Sequence, residues 1–254
     1  ARVLVAEDNE INQMLISSIL DKYEIEPLFA NNGKIAYEMR QNLDLDLIFM
    51  DVNMPVLDGI GATHKIRQYE KEQDMKPVPV VALTANAMAG DKENLMKEGM
   101  DNYLAKPIEI KMLERIFMRY LVLDEDQVEF PELDFPFEVN SNLSTSEVYD
   151  ANVVAELLGL DLETTRMLAT EFLNTLDIDL KELIDAISKM QSMSEIKEAA
   201  HKIKGSAANL RFDTIRDRCY DIEMAARNED TTVDYNEMLI DLFEVIDDAK
   251  EMVI

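Results

Sequence analysis

The stretch Leu47-Ile48-Phe49-Met50-Asp51-Val52-Asn53-Met54-Pro55-Val56-Leu57-Asp58-Gly59 contains four apolar residues in a row, then a carboxylate, then a loop punctuated by Pro55 and Gly59. An apolar run of that length without alternation reads as a strand buried on both faces, which is the habit of parallel sheets covered by helices. Working outward, runs of the same kind stand at 3–6, 28–30, 80–83 and 103–105. Helix-period segments lie between them. Ile11, Met14, Leu15, Ser18 and Ile19 share one stripe, as do Met112, Leu113, Ile116, Phe117 and Tyr120. Residues 1–121 therefore read as a five-stranded doubly wound α/β domain.

Beyond residue 121 the pattern changes. Residues 122–150 carry nine acids and no Lys or Arg, include Pro131 and Pro136, and end in a Ser/Thr/Asn cluster, which is linker composition. Phe130, Phe135 and Phe137 argue against a wholly free tether. Residues 151–254 show no strand. Helical segments near 151–159, 161–189, 194–210, 213–227 and 232–252 read as an antiparallel bundle.

Composition limits the function. The formal net charge of −27 over 254 residues repels phosphate backbones and anionic lipid, so nucleic acid and direct membrane contact are poor candidates and a metal cation is a better one. A single cysteine, Cys219, excludes a disulfide framework and a thiolate zinc site, with a cytoplasmic location as the default. No run approaches the roughly 20 apolar residues of a membrane span. The start at Ala1 without Met is read as that of a fragment of a longer polypeptide.

In open parallel sheets ligands bind outside the carboxyl ends of the strands. Here those ends carry Glu7 and Asp8, Asp51, Thr84 and Lys106. Three carboxylates converging on one place repel unless a hard cation joins them, and oxygen donors suit Mg²⁺. A dication with a lysine beside it is suited to a phosphoryl group, and Asp51, at the end of a buried strand, is the candidate nucleophile.

Ala6-Glu7-Asp8-Asn9, Met50-Asp51 through Asp58-Gly59, Leu83-Thr84-Ala85 and Tyr103-Leu104-Ala105-Lys106-Pro107 closely resemble the receiver domains of bacterial two-component signalling, over residues 1–121. The resemblance implies a flavodoxin-like sheet of order 2-1-3-4-5 and a cis Lys106-Pro107 peptide. It implies that Asp51 takes a phosphoryl group from a phosphohistidine, and that Glu7, Asp8, Asp51 and the Asn53 backbone carbonyl hold Mg²⁺. Lys106 would pair with phosphoryl oxygens, while Thr84 and Tyr103 would report the modification. Asn53 and Asn86 flank the site and are expected to influence the lifetime of the phosphate. A haloacid-dehalogenase-type phosphatase reading of Asp51-Val52-Asn53 is set aside, because Asn53 cannot serve as the acid that family needs two residues after its nucleophile. His64 reads as a solvated surface residue.

His201 lies in Ala200-His201-Lys202-Ile203-Lys204-Gly205-Ser206-Ala207-Ala208. At 100° per residue, Ile196, Ala200, Ile203, Ala207 and Leu210 gather on one side, with His201, Lys204, Gly205 and Ala208 on the other. Gly205 sits one turn from the histidine, where it costs roughly 1 kcal/mol relative to Ala and clears a path to the imidazole. Lys202 and Lys204 are expected to supply positive charge for a phosphoryl group. The stretch resembles histidine phosphotransfer domains, over residues 146–254, which implies that His201 carries a phosphoryl group. Asp217, Cys219 and Glu223 read as ordinary bundle residues.

The two resemblances together are those of the tail of a hybrid sensor histidine kinase. They imply a kinase core, in the same parent polypeptide, as phosphodonor to Asp51 and a downstream response-regulator receiver as acceptor from His201. No ATP-binding motif is read in this chain. A tether of 29 residues has an r.m.s. span of roughly 30 Å, enough for transfer within one chain. The other class of function is a phosphorylation-controlled binding module with the bundle as a phosphate sink.

Overall fold

The structure, a computed structural model, describes residues 1–84, 89–121, 149–189 and 192–253, and the side chains of all of these but 89–91. Two compact units divide the chain, Ala1–Ser146 and Glu147–Ile254.

The first unit alternates strand and helix: β1 Val3–Ala6, α1 Glu10–Asp21, β2 Leu28–Ala30, α2 Gly33–Asn42, β3 Leu47–Asp51, α3 Gly59–Glu72, β4 Val80–Thr84, α4 Ala89–Lys97, β5 Asn102–Ala105 and α5 Ile110–Tyr120. Every pairing is parallel and the order is β2-β1-β3-β4-β5. Each residue of β1, β3 and β4 is buried, as unbroken apolar runs require. The register sets Ala6 beside Met50, Asp51 beside Leu83 and Thr84 beside Ala105, so the strands end together and their terminal residues share one edge. Helices begin just past that edge. Asn9 caps α1 by accepting from the Asn12 amide, and Asp58 caps α3 by accepting from the Gly61 amide. The Lys106-Pro107 peptide is cis.

The opposite end of the sheet is closed by a charge cluster that the sequence reading did not anticipate. Arg40 donates to Glu70 at 3.0 Å with both side chains buried, and Arg67 bridges Glu70 and Asp101 while also donating to the carbonyls of Val78 and Gly99. Glu70 in turn accepts from the Val78 amide at 2.9 Å. Its carboxylate is thus satisfied from several sides, the condition for keeping a charge out of water.

The second unit contains α6 Ala151–Leu158, α7 Leu162–Lys189, α8 Met193–Asn209, α9 Asp213–Arg227 and α10 Tyr235–Val253. Helix α8 packs against α7 and α9, and α10 against both α7 and α9. Ile196, Ala200, Ile203, Ala207 and Leu210 are fully buried, with Ala200 and Ala207 letting neighbouring helices come close. The inner side of α8 is nevertheless wider than the sequence stripe. Lys204 and Ala208, assigned to the outer side, are buried. Lys204 lies only 40° around the helix from Ala200, and α9 leans on that flank. The segment read as a linker lies outside the described residues up to 148. Its last two residues join the bundle: Tyr149 stacks on Phe212 with ring centroids 4.3 Å apart, and Asp150 caps α6.

Candidate functional site

At the shared carboxyl edge of the sheet, Glu7, Asp8 and Asp51 bring carboxylate oxygens within 4.8 Å of one another. Glu7 and Asp51 are buried, so their charges need partners. Lys106 supplies one. Its Nζ donates to Asp51 Oδ2 at 2.5 Å and to Glu7 Oε2 at 2.8 Å. The other Glu7 oxygen accepts from Asn12 Nδ2 at 2.9 Å, and Asp51 Oδ1 accepts from the Asn53 amide at 3.1 Å.

These groups bias one another's protons. Burial is the largest influence on Glu7 and pushes its carboxyl above the usual range, with Asp51 adding to the rise and Lys106 opposing it. Burial works against the charged form of Lys106, but Glu7 and Asp51 outweigh it and hold the ammonium above its ordinary pKa. Lys106 is therefore the fixed charge of the cluster. Three clustered carboxylates with a neutral amide behind one of them are an oxygen donor set that fits a hard dication.

Thr84 ends β4 as a buried residue whose carbonyl accepts from the Lys106 amide at 2.7 Å, which ties the two positions together. Tyr103 is half-buried in β5 and packs against the core. The Asn53 side chain belongs to an exposed residue of the loop after β3. Asn86 lies outside the described residues. His64, exposed as expected, pairs with Glu98 at 2.6 Å.

The loop after Asp51 is held tightly. A Cβ on Gly59 would sit 2.2 Å from the Asp51 carbonyl oxygen, and one on Gly33 would sit 2.4 Å from that of Leu57. Leu57 donates its amide to Pro55 O at 2.8 Å across Val56, whose φ is 69°. A hydrogen bond spanning two residues around a positive φ is a classic γ-turn, and for a β-branched residue such a conformation costs on the order of 1–3 kcal/mol.

In the bundle, His201 is partly exposed on α8 and its Nδ1 lies 2.9 Å from Glu223 Oε1 of α9. The other Glu223 oxygen accepts from Lys204 Nζ at 2.5 Å. Burial opposes ionisation of Glu223, but hydrogen bonds and charge from His201 and Lys204 prevail and hold its carboxyl below the usual carboxylate range. An ionised carboxylate can only accept, so Nδ1 carries the hydrogen. In the neutral ring the lone pair is then on Nε2.

Lys204 is bound to Glu223, and its Nζ also lies 5.8 Å from the centre of the Tyr220 ring. Lys202 is tied to Asp179 at 2.8 Å and Glu182 at 3.3 Å on α7. Both charges are compensated because two acidic helices flank α8. Glu223, read as an ordinary residue, is the direct partner of the histidine. A Cβ on Gly205 would meet nothing within 4 Å, so Gly205→Ala should raise bundle stability by about 1 kcal/mol in thermal or urea unfolding.

The sheet order and the acidic edge are those of a doubly wound α/β domain with a carboxylate cluster that fits a cation, and the second unit is a helical bundle with a partly exposed histidine. The particulars follow from comparison: residues 3–117 match the family model for the response regulator receiver domain and residues 167–251 that for the Hpt domain, and the chain belongs to these two families in that order. It is a receiver followed by an Hpt domain, parts of two-component phosphorelay signalling. It is 33% identical over 240 residues to the sensor histidine kinase GacS of Pseudomonas protegens, a match covering 90% of this chain and 24% of that protein. Against the signal transduction histidine-protein kinase BarA of Escherichia coli it is 29% identical over 249 residues, 97% of this chain and 26% of that one. A solved receiver domain from the sensor histidine kinase PA1611 of Pseudomonas aeruginosa, with magnesium coordinated in its active site cleft, is 38% identical. It covers 47% of this chain and 95% of its own, with a TM-score of 0.41. The chain spans about a quarter of the length of the curated relatives it matches. Among the described residues no helix is long and apolar enough to cross a membrane.

Proposed function

We propose that this chain holds two stations of a phosphorelay, Asp51 and His201, in a cytoplasmic part of a longer histidine kinase. An Asp51 carboxylate oxygen attacks the phosphorus of a donor phosphohistidine. The new O–P bond forms as the P–N bond breaks, and the electron pair returns to the imidazole. Glu7, Asp8, Asp51 and the Asn53 carbonyl would hold Mg²⁺, which when bound offsets the charge on the phosphoryl oxygens. Lys106 remains charged and moves from Asp51 Oδ2 to a phosphoryl oxygen, the Thr84 hydroxyl donates to another, and Tyr103 repacks beside β4 as the signal. In the onward step His201 Nε2 attacks the phosphorus of the acyl phosphate, and the new N–P bond forms as the Asp51 O–P bond breaks and its electron pair returns to the carboxylate. Positive charge grows on the ring as this happens, and Glu223 stabilises it through Nδ1–H. A downstream receiver takes the group from there.

The observation that carries this reading is the pair of opposed partners. Lys106 is set against Asp51 and Glu223 against His201, each compensating the charge that its acceptor gains or loses.

The test uses the full chain with Mg²⁺ and acetyl phosphate, followed by separation of acid-stable from base-stable phosphate. Label should reach His201 only when Asp51 is intact, and Asp51→Asn should abolish labelling of both. Label confined to Asp51 in the unaltered chain would favour the switch-only reading. With Asn53 exposed in the loop just after Asp51, the aspartyl phosphate should decay well within days.

A further inference from the structure

Val56 is 80% exposed, more than any other large hydrophobic residue described. It is also the residue at the centre of the γ-turn after Asp51, a β-branched side chain at φ 69°. Exposure and conformation are each unfavourable, and neither is forced by the other. The turn is fixed by its neighbours: Gly59 donates to Val52 O at 3.0 Å, Gly33 to Leu57 O at 2.9 Å, and Met54 and Leu57 pack inward. A glycine would adopt the same turn without strain. The isopropyl group, four-fifths exposed, therefore contributes little to the fold, and strain retained beside a reactive group points to use by that group.

Its place says what the use is. Val56 lies five residues past the phosphoacceptor, in the loop that follows the carboxyl end of β3, the edge at which a phosphodonor must approach Asp51. A reacting imidazole has to come within about 3–3.5 Å of its target. A helix is about 10–12 Å across with its side chains, so one that brings a histidine this close covers that edge as well. A small phosphodonor does not. Helix α8 shows what such a surface offers, since around Gly205 an added Cβ would meet nothing within 4 Å.

We propose that Val56 is a docking residue for the helix surface that bears the phosphohistidine, held out of the loop in a strained turn so that a branched apolar group meets that helix. This rests on the reading of Asp51 as phosphoacceptor.

The experiment uses two full-length copies. One carries Asp51→Ala and is phosphorylated on His201 with phosphoramidate. The other carries His201→Gln and receives phosphate on Asp51. In the receiving copy, Val56→Gly and Val56→Asn should each raise the half-saturating concentration in transfer from the phosphorylated copy by roughly fivefold, the order of one lost apolar contact. Transfer from acetyl phosphate should change far less, so the ratio of the two is the readout, and Val56→Ile should keep that ratio. Val56→Gly should at the same time raise the melting midpoint of the receiver by about 3 °C, because strain is relieved. An unchanged half-saturating concentration in both the Gly and the Asn variants would overturn the proposal, as would an equal loss with acetyl phosphate. Failure of acetyl phosphate to label Asp51 in the unaltered chain would instead overturn the phosphoacceptor reading.

Discussion

Replacing Lys106 with methionine should destabilise the receiver by about 3–5 kcal/mol, the cost of breaking a buried ion pair by removing one partner. The ammonium is nearly buried and bonded to both Glu7 and Asp51, with Asp8 close by, so its loss leaves three carboxylates without the cation that separates them. One way for the chain to adapt is to keep a proton on Glu7. That carboxyl is already raised by burial, and losing Lys106 removes the main opposing influence. A carboxyl whose folded pKa lies above its unfolded value favours folding at low pH, and this contribution is lost as pH rises through the folded pKa. The deficit of Lys106→Met should therefore be small near pH 4.5 and grow toward pH 8. Mg²⁺ should recover part of it at pH 8, since a dication replaces the missing charge. Scanning calorimetry of the full chain at both pH values, with and without Mg²⁺, checks this. Labelling by acetyl phosphate should fall by about 10²–10³-fold, because the donor to the transferring oxygen is gone. A variant as stable as the parent at pH 8 without metal would show that the carboxylates do not depend on Lys106.

How much of this was readable beforehand depends on how far apart in sequence the decisive partners lie. Strands β1, β3 and β4 were legible because both faces are buried and the run is uniformly apolar. β3, β4 and β5 each run one residue beyond the apolar run, with Asp51 and Thr84 closing the first two and Asn102 opening β5, whose burial alternates. The carboxylates and Lys106 were legible because a doubly wound sheet puts every strand end on one edge, so adjacency follows from topology alone. Glu223 was not. It stands next to Ile222 on α9, 22 residues from His201, and periodicity assigns it to the border of a buried stripe without saying which neighbour it faces. The same limit hid the burial of Lys204, whose environment is set by the lean of α9. Arg40, Glu70 and Arg67 are spread over α2 and α3, and only the folded sheet end brings them together. Topology alone thus makes the carboxylate–lysine cluster legible, while for His201 only one of the two helices that supply its contacts is legible.

That second helix carries the other large effect. Glu223→Leu should slow phosphoryl transfer to and from His201 by about 10²-fold or more, as expected when a histidine loses the group that fixes its tautomer and stabilises its charged form. It should also destabilise the bundle by about 3 kcal/mol, because the Lys204 ammonium would be left buried without its carboxylate, beside the Tyr220 ring. The two effects separate in a second variant. Glu223→Leu combined with Lys204→Met replaces the ion pair by apolar groups of similar size, so stability should largely return while transfer stays slow. A purely structural Glu223 would regain both. Acid behaviour gives an independent check. The Glu223 carboxyl is depressed in the folded bundle, so its contribution is present above its ordinary value of 4.5 and is lost as pH falls through the lower folded value. The parent should therefore lose stability on acidification below pH 4.5 more steeply than the double variant does. If the double variant transferred phosphate as fast as the parent, with its ¹⁵N spectrum still showing hydrogen on Nδ1, some other group would have to hold the ring, and Glu223 would be no more than the counter-ion of Lys204.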